Sequence, residues 1–542
     1  MDYTSNTSLL YAILAVLLAA LLLGLFFSRP LPLTEMEATA SGPAEPVAEP
    51  RAQLTALPPH AKSGPLPGLA PLPEDDSPAL TFLAESNADY LQLLQWLQEQ
   101  QLLERSLAVL PQLRSLKIRL RESELQRLLQ DNERISYGTD IRLYLPERPE
   151  ERPEWDGYAG LAFGRRYLEF LGVDSSNPER GAGCVVALLD TPLANHTSLN
   201  SSNIVTQDWF GLLASAEELD RSHGTAVASI LAGENGISPG VNLLSLPVVG
   251  ADGSCSAFEL ATAIVTAVDS GADIISISLA AAEGNAVLAA AVRYAGENQV
   301  LLVAAAGNDG GERVAYPAAY PGVLAVGAVN AAGEHAGFSN QGSAIALAAP
   351  GVGLQAAAGE DGWEYFSGTS AAVPCVVGVL ANFLSTNPGI AAPDAVQLLL
   401  ATSDDTGQAG VDDYTGHGVV NARRLDNWRT PGIYDAAAAG HFLLQNSNRD
   451  GNIHLQVSAQ NTGTEILPEL LLHTAVADAV SKELFVNVPP GEVVSIIISV
   501  PADLVRASGS VVVSSWVETP GVEDAQRRNQ LKRSSLSLNG SK

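Results

Sequence analysis

Cysteine is scarce in this chain, with three residues among 542. Cys184, Cys255 and Cys375 lie far apart, and their positions match no metal-ligand spacing. Three cysteines cannot all pair with one another, which excludes a secreted protein held together by a disulfide framework. Apolar residues make up 46% of the chain, and this content excludes a wholly disordered or collagen-like protein.

Basic residues are also few beside the acidic ones, at 30 against 60, so the formal net charge is −30. An acidic chain repels the phosphate backbone, and we therefore expect no nucleic acid among the partners. At roughly 150 residues per domain, the length predicts about three or four units.

The N-terminal residues 1–28 contain a long run without charges, residues 9–27. As a helix this run spans roughly 28 Å, enough to cross the hydrocarbon core of a membrane. No Lys or Arg precedes the run, so we favour an uncleaved transmembrane anchor over a cleaved signal segment, and both interpretations stay open. By the positive-inside rule, the nearby Arg29 would place the following residues in the cytoplasm.

Residues 29–78 are rich in Pro, Ala and Glu and show no apolar periodicity. They contain the segments PAEPVAEP and GPLPGLAPLPEDD, which are typical of a semi-extended chain. We therefore predict a linker here and not a folded domain.

Residues 79–148 regain a pattern of alternating short strands and amphipathic helices. Asn87 is the predicted cap of the first helix, and ISYGTDIRLYL is predicted as one last strand. The predicted order is β-α-β-β-α-β, which is the order of a ferredoxin-like α+β module.

Residues 155–428 alternate apolar runs of strand length with helical patterns, which predicts an α/β domain with a mostly parallel sheet and helices on both faces. Three polar residues stand at the ends of these elements. Asp190 follows an apolar run, His223 lies where a loop turns into a helix, and Ser370 lies at the start of an apolar helix. Singly, they are more often a turn residue, a structural histidine and a helix cap. Their order, Asp, His, Ser, is that of a known catalytic triad.

The sequence around these three residues resembles the subtilisin-like serine peptidases. The resemblance covers about residues 155–428, and its motifs are LLDTP, HGTAVAS, GISPG (236–240), SISLA, VAAAGN, YPA (316–318), APG (349–351), SGTSAAVP and YTGHGVVNA (414–422). Several positions depart from the family pattern, since Pro192 replaces the glycine after the triad acid and Ala371 replaces the methionine after the nucleophile.

The resemblance implies a serine endopeptidase that acts on proteins or peptides through a triad and an acyl-enzyme intermediate. Ser370 would be the nucleophile, His223 its base, and Asp190 the group that orients the histidine. Asn308 would donate a hydrogen bond in the oxyanion hole. The implied substrate-binding residues are Ser278, Leu279, Ala280, Ala304, Ala305, Ala306 and Gly307.

The resemblance also implies a role for the preceding module, residues 79–148. In many relatives a ferredoxin-like propeptide at this position assists folding and inhibits the peptidase until it is cleaved. We therefore expect a self-inhibited zymogen that cuts itself between about residues 145 and 158. The family is usually extracytoplasmic, which implies a periplasmic or cell-surface location, with release from the anchor after processing. No cofactor is expected for the chemistry, whereas structural calcium is implied without identifiable ligands.

Residues 432–542 change character again, with short alternating strands separated by Asn-Thr-Gly and Pro-Pro-Gly turns. This pattern predicts an immunoglobulin-like β-sandwich, which resembles bacterial adhesion or stalk modules. It would either stabilise the peptidase or dock partners, since a sandwich fold does not specify function. The alternative hypothesis for the whole chain is a catalytically silent scaffold that binds polypeptides.

Overall fold

The structure is a computed structural model. It describes residues 78–149, 162–215, 221–444, 451–477 and 479–537. The predicted anchor of residues 1–28 and nearly all of the predicted linker 29–78 lie outside the described residues, as do most positions of the predicted cleavage region.

The described elements follow one another along the chain in three groups. The strands are β1 (Ala79–Ala84), β2 (Ser106–Leu110), β3 (Ser115–Arg119), β4 (Ile135–Thr139), β5 (Arg142–Tyr144), β6 (Val185–Asp190), β7 (Asn203–Thr206), β8 (Asn242–Pro247), β9 (Ser254–Ser256), β10 (Ile274–Ile277), β11 (Leu301–Ala305), β12 (Val323–Val329), β13 (Ile345–Pro350), β14 (Leu354–Ala358), β15 (Gly362–Phe366), β16 (Ala436–Leu443), β17 (Asn452–Asn461), β18 (Leu467–Val476), β19 (Ala479–Val488), β20 (Val493–Pro501), β21 (Ser510–Glu518) and β22 (Leu531–Ser537). The helices are α1 (Asn87–Glu99), α2 (Glu122–Asp131), α3 (Tyr167–Leu171), α4 (Ser222–Ala232), α5 (Ala257–Asp269), α6 (Ala286–Glu297), α7 (Thr369–Thr386), α8 (Ala392–Ala401), α9 (Ala422–Asp426) and α10 (Ala502–Ser508).

The first group is a four-stranded antiparallel sheet in the order β2-β3-β1-β4, against which α1 and α2 pack through one apolar core. The predicted cap of α1 is wrong by one residue, because Ser86 and not Asn87 is the N-cap of the helix. The Ser86 hydroxyl accepts a hydrogen bond from the Asp89 N–H, and the Asp89 carboxylate accepts one from the Ser86 N–H. This reciprocal pair satisfies two backbone donors of the first turn.

The last predicted strand of this group is in fact two strands. β4 ends at Thr139, and β5 leaves the sheet to pair antiparallel with β9. The Asp140 carboxylate, which lies between them, accepts a hydrogen bond from the Phe258 N–H in the first turn of α5 at 3.0 Å. An anionic side chain is stabilised at a helix N-terminus, so this contact favours the departure of the chain from its own sheet.

The second group is built on a seven-stranded sheet in the order β13-β12-β11-β10-β6-β8-β7, and every neighbouring pair is parallel. Alternate residues of β6 face two different cores. Val186 and Leu188 pack with α4 and α7, whereas Ala187 and Leu189 pack with α5 and α6. The predicted parallel sheet with helices on both faces is therefore confirmed.

The direction of strand addition reverses between β6 and β10. The chain adds β8 and β7 on one side of β6, and it adds β10 to β13 on the other. In open α/β sheets, side chains that act on a ligand gather at the carboxyl ends of the strands beside such a reversal. This rule predicts a ligand site at the residues that end β6 and follow β10.

Helix α7 crosses the centre of this group. Among the described residues it is the one helix long and apolar enough to span a membrane by length and composition, and 78% of that stretch is buried inside the structure. Its apolar surface therefore packs against the sheet and against α4.

The third group contains a three-stranded sheet, β16-β17-β20, and a four-stranded sheet, β19-β18-β21-β22, both antiparallel. Inward-facing residues of the two sheets, such as Val457 and Leu472, share one core.

Candidate active site

Asp190 and His223 meet at the carboxyl end of the sheet. Asp190 is the last residue of β6, and His223 is the second residue of α4. His223 Nδ1 lies 2.8 Å from Asp190 Oδ1, and the two residues are only 5% and 1% exposed. The same carboxylate oxygen accepts a hydrogen bond from the Thr191 N–H at 2.7 Å, which fixes its orientation. A buried carboxylate in this position can hold the imidazole in one tautomer and stabilise its protonated form.

The close approach of α4 to the end of β6 requires a glycine after the histidine. A Cβ atom at Gly224 would lie 2.5 Å from the Thr191 carbonyl oxygen and 3.2 Å from Asp190 Oδ1. The Gly224 N–H instead donates to the Thr191 hydroxyl at 2.8 Å. The pairing of Asp190 with His223 thus depends on the His-Gly dipeptide and on Thr191.

Ser370 lies in the first turn of α7 and is 2% exposed. Gly368, which precedes the helix, has a φ of 138°. Pro374 lies inside the same helix and lacks an N–H, so the Ser370 carbonyl oxygen receives no helical hydrogen bond from it. The Ser370 hydroxyl is buried beside the backbone N–H groups of a helix start, where negative charge is stabilised.

The third contact of a triad, from Ser370 Oγ to His223 Nε2, is not formed in this structure. Among the described residues, neither atom has a hydrogen-bond partner, although both are buried. The His223 ring packs edge-on against Phe366, with the ring centroids 5.4 Å apart.

Asn308, three residues beyond β11, is held beside the start of α7. Its Oδ1 accepts hydrogen bonds from the Thr369 N–H and the Thr369 hydroxyl, each at 2.9 Å. Its Nδ2 donates to the Glu147 carbonyl oxygen at 2.9 Å. The side-chain amide is therefore oriented by one neighbour and already bound to a peptide carbonyl group by its other end.

The predicted substrate-binding residues lie in two segments at the same sheet edge. Ser278 and Leu279 follow β10 and are fully buried, whereas Ala280 forms an antiparallel bridge with Tyr144. Its N–H donates to the Tyr144 carbonyl oxygen at 2.8 Å, and its carbonyl oxygen accepts from the Tyr144 N–H at 2.9 Å. The second set, Ala304, Ala305, Ala306 and Gly307, is buried at the end of β11 and just after it. Contact of either set with a substrate stays a prediction.

The chain from β5 onward therefore follows the sheet edge toward Asn308 and the start of α7. It pairs with β9 on one side and with Ala280 on the other, and the Leu145 N–H donates to the Gly253 carbonyl oxygen at 3.3 Å. Two residues later its backbone reaches Asn308. The chain's own residues 142–147 thus lie against Ala280 and Asn308, two residues that the resemblance assigns to substrate binding and to the oxyanion hole.

Sequence reasoning missed three residues that contact this site. Thr369 holds Asn308, and it could have been found because it directly precedes Ser370. Phe366 contacts His223, and Glu364 binds Arg148. The sequence gives no signal for Phe366 or Glu364, because each meets its partner only in the folded chain. Glu364 and Arg148, for example, are 216 positions apart.

No metal centre is found in the part of the chain that the structure describes, since no three His, Cys, Asp or Glu side chains are grouped to hold an ion. The implied structural calcium stays a prediction. The three cysteines are buried, and burial raises the pKa of the Cys255 and Cys375 thiols well above their usual range.

Comparison with known proteins gives the same assignment as the motifs. The Subtilase family profile matches residues 181–418. The alkaline elastase YaB of Bacillus sp. (strain YaB) is 34% identical over 250 residues, which cover 45% of this chain and 64% of the elastase. This chain therefore spans less than two thirds of that relative's length.

Two further relatives are covered more completely. Subtilisin Savinase of Lederbergia lenta is 33% identical over 256 residues, which cover 45% of this chain and 90% of Savinase. The solved structure of the patellamide maturation protease PatA is 33% identical with a TM-score of 0.41, and the match covers 45% of this chain and 96% of that one. With the family match and the near-complete coverage of Savinase, the chain belongs to the subtilase family of serine peptidases.

Proposed function

We propose that the chain is a serine endopeptidase whose triad is Asp190, His223 and Ser370. The observation that carries this proposal is the buried contact of 2.8 Å between His223 Nδ1 and Asp190 Oδ1, at the sheet edge where the Ser370 hydroxyl is also buried. His223 takes the proton of the Ser370 hydroxyl during attack on the peptide carbonyl carbon and later donates it to the leaving amine. The contact between Ser370 and His223 then forms when the reacting complex assembles, since hydrogen bonds between catalytic groups often tighten only at that stage.

Asn308 supplies the proposed oxyanion donor. Its Nδ2 already donates to one peptide carbonyl oxygen, and Thr369 holds the amide by its oxygen. Removal of such a donor costs roughly 10²–10³-fold in rate, a range that was itself measured in a subtilisin.

The endopeptidase proposal is tested by hydrolysis of fluorescently labelled casein. The wild-type chain should release fluorescent peptides, and the Ser370→Ala variant should not. Ser385→Ala is the matched control, because Ser385 lies near the end of the same helix and its hydroxyl bonds only a carbonyl group of that helix. Equal hydrolysis by wild type and Ser370→Ala would show that another group carries the activity.

We propose further that the chain is made as a self-inhibited zymogen, with residues 79–148 as a ferredoxin-like propeptide. Two observations support this. Residues 142–147 lie along the sheet edge against Ala280 and Asn308, where we expect an extended substrate to bind. Leu110 and Leu113 of the module also pack into the core that contains α5 and α6 of the peptidase. A segment held in this way blocks other substrates until it is cut and released.

Self-cleavage is tested with the purified Ser370→Ala precursor. We expect the wild-type chain to be cut and the variant to keep its full length, as measured by intact mass. The contact between Asn308 and the Glu147 carbonyl oxygen predicts a cut between Glu147 and Arg148, so the new N-terminus should be Arg148. A variant that is processed like wild type would contradict self-cleavage.

A second candidate function is a catalytically silent scaffold that binds polypeptides. It is favoured by one observation: within the described residues, the Ser370 hydroxyl and His223 Nε2 have no hydrogen-bond partner. The casein experiment separates the two candidates, because a scaffold would bind casein without cutting it.

The location of the protein is also a proposal. Residues 1–28 would anchor the chain in a membrane, residues 29–78 would tether it, and the peptidase would act outside the cytoplasm. Residues 432–542 would form an immunoglobulin-like sandwich attached to the peptidase. A reporter fused after residue 78 tests the orientation, since a periplasmic phosphatase should be active there and a cytoplasmic reporter should not.

A further inference from the structure

Arg148 is bound by a carboxylate next to the candidate catalytic histidine. Its Nη1 and Nη2 donate to Glu364 Oε2 and Oε1 at 3.0 and 3.2 Å, which makes a two-pronged ion pair. Such pairs fix the geometry of a guanidinium group as well as its charge. The Arg148 and Glu364 side chains are 48% and 27% exposed, so the pair lies at the rim of the cleft.

Two more contacts complete the surroundings of this arginine. Its guanidinium carbon lies 5.4 Å from the centre of the Phe366 ring, within the range of a cation–π contact. Its Nη2 also lies 3.4 Å from the Ser222 hydroxyl. Phe366 and Glu364 belong to β15, and the same Phe366 ring packs against His223. The structure therefore combines an acid and an aromatic face on one strand beside the histidine.

The position of Arg148 in the bound segment indicates a role for its contacts with Glu364 and Phe366 in substrate binding. Asn308 binds the carbonyl oxygen of Glu147, so the peptide bond presented to the site joins Glu147 to Arg148. In that arrangement Arg148 is the first residue of the leaving fragment. His223, which donates a proton to the leaving amine in the proposed mechanism, lies on the same side.

We propose that Glu364 and Phe366 form a binding site for an arginine or lysine immediately after the cleaved bond. The peptidase would then prefer protein segments with a basic residue at that position, and its own Arg148 would be the first such segment it meets. The proposal rests on the endopeptidase function above and adds a substrate class to it. Arginine should be favoured over lysine, because only its planar group can bind both carboxylate oxygens and stack on the ring.

The test uses quenched fluorescent peptides with the sequence of residues 143–151 and with Arg, Lys, Gln or Glu in place of residue 148. Mass spectrometry confirms the bond that is cut. For wild type we expect kcat/KM to be about fivefold higher with Arg than with Gln, the size expected of a half-exposed ion pair. The Glu peptide should be the poorest of the four.

Variants at Glu364 show whether this residue causes the preference. In Glu364→Gln the ratio of kcat/KM between the Arg and Gln peptides should fall to about one, and in Glu364→Lys the Glu peptide should overtake the Arg peptide. Ratios between peptides cancel any general change in activity of a variant. Asp361→Asn is the matched control, because it removes one exposed acid from the same hairpin, and it should keep the wild-type ratio.

The outcomes separate this inference from the function on which it rests. If wild type cuts the Gln peptide and reacts with a fluorophosphonate probe, but Glu364→Gln keeps the preference for Arg, the proposed site is wrong. An unchanged order of peptides in Glu364→Lys would overturn it independently. If wild type cuts no peptide and does not react with the probe, the endopeptidase function itself is wrong, and the inference is overturned with it.

Discussion

Two glycines determine how closely the candidate catalytic side chains approach one another. Gly224 lets α4 come against Thr191, and Gly368 lets the chain enter α7 beside Asn308. A Cβ atom at Gly368 would lie 2.9 Å from Asn308 Nδ2, and the φ of 138° at this position is disfavoured for other residues. The geometry of the site therefore depends on the absence of a side chain at these two positions as well as on the reacting groups.

The Gly368→Ala variant tests this crowding. The added methyl group should displace the Asn308 amide and twist the start of α7, so kcat should fall by roughly 10²-fold, comparable to the loss of an oxyanion donor. Steady-state hydrolysis of a peptide substrate measures the change. Gly389→Ala is the control, since nothing lies within 4 Å of a Cβ atom there. A Gly368→Ala enzyme with wild-type kcat would contradict this role.

At the scale of elements, one of the contacts that hold the N-terminal module against the peptidase is short and apolar. The turn of Pro111–Leu113 lies against α6, and Leu113, at 4% exposed, is part of the core shared with α5 and α6. Burial of one leucine is worth roughly 1.5–3 kcal/mol. A single charge in this contact is therefore enough to weaken the docking of the module.

The Leu113→Asp variant, made in the Ser370→Ala precursor, should loosen the module without cutting it. Hydrogen exchange in α5 and α6 should become faster because these helices lose their cover. Leu91→Asp is the matched control, since Leu91 lies on α1 with 47% of its surface exposed, and it should leave both helices unchanged. Wild-type exchange in α5 and α6 of Leu113→Asp would contradict the docking contact.

The elements that carry the candidate triad could be predicted because their signals are local. An apolar run ends at Asp190, and small residues start the helices of His223 and Ser370. The division between β4 and β5 could not, because β5 pairs with β9, far along the chain. Strand β16 begins with four alanines, which are depleted in strands, so its pairing with β17 overrides local preference.

Across the whole described molecule, the peptidase and the C-terminal sheets meet through buried polar groups. Gln460 of β17 accepts a hydrogen bond from the Asp405 N–H at 3.0 Å and donates one to the Ser403 carbonyl oxygen. The Asp405 carboxylate accepts from the Gly410 N–H. Burial raises the pKa of Asp405 to about 7. Because of this raised pKa, the stability of the folded protein depends on pH.

Asp405 is more easily protonated in the folded protein than in the unfolded one. Its contribution to stability is therefore complete below pH 3.8, its ordinary pKa, and is lost as the pH rises toward about 7. In the Ser370→Ala background, Asp405→Asn should gain up to roughly 2 kcal/mol over its parent between pH 5 and pH 7, and the gain should stop growing above pH 7.

Urea unfolding at pH 5, 6, 7 and 8 measures this difference. A gain in Asp405→Asn that does not vary with pH would contradict the role of this carboxyl group.

The central claim is that Ser370 is the nucleophile of a working triad, and a fluorophosphonate probe tests it most directly. Such a probe forms a covalent bond only with a serine activated by its base. After labelling and digestion, mass spectrometry should find the adduct on Ser370 in wild type and in Ser385→Ala, and no adduct in His223→Ala. A folded, mature wild-type chain without an adduct on Ser370, or with the adduct on another serine, would contradict the account.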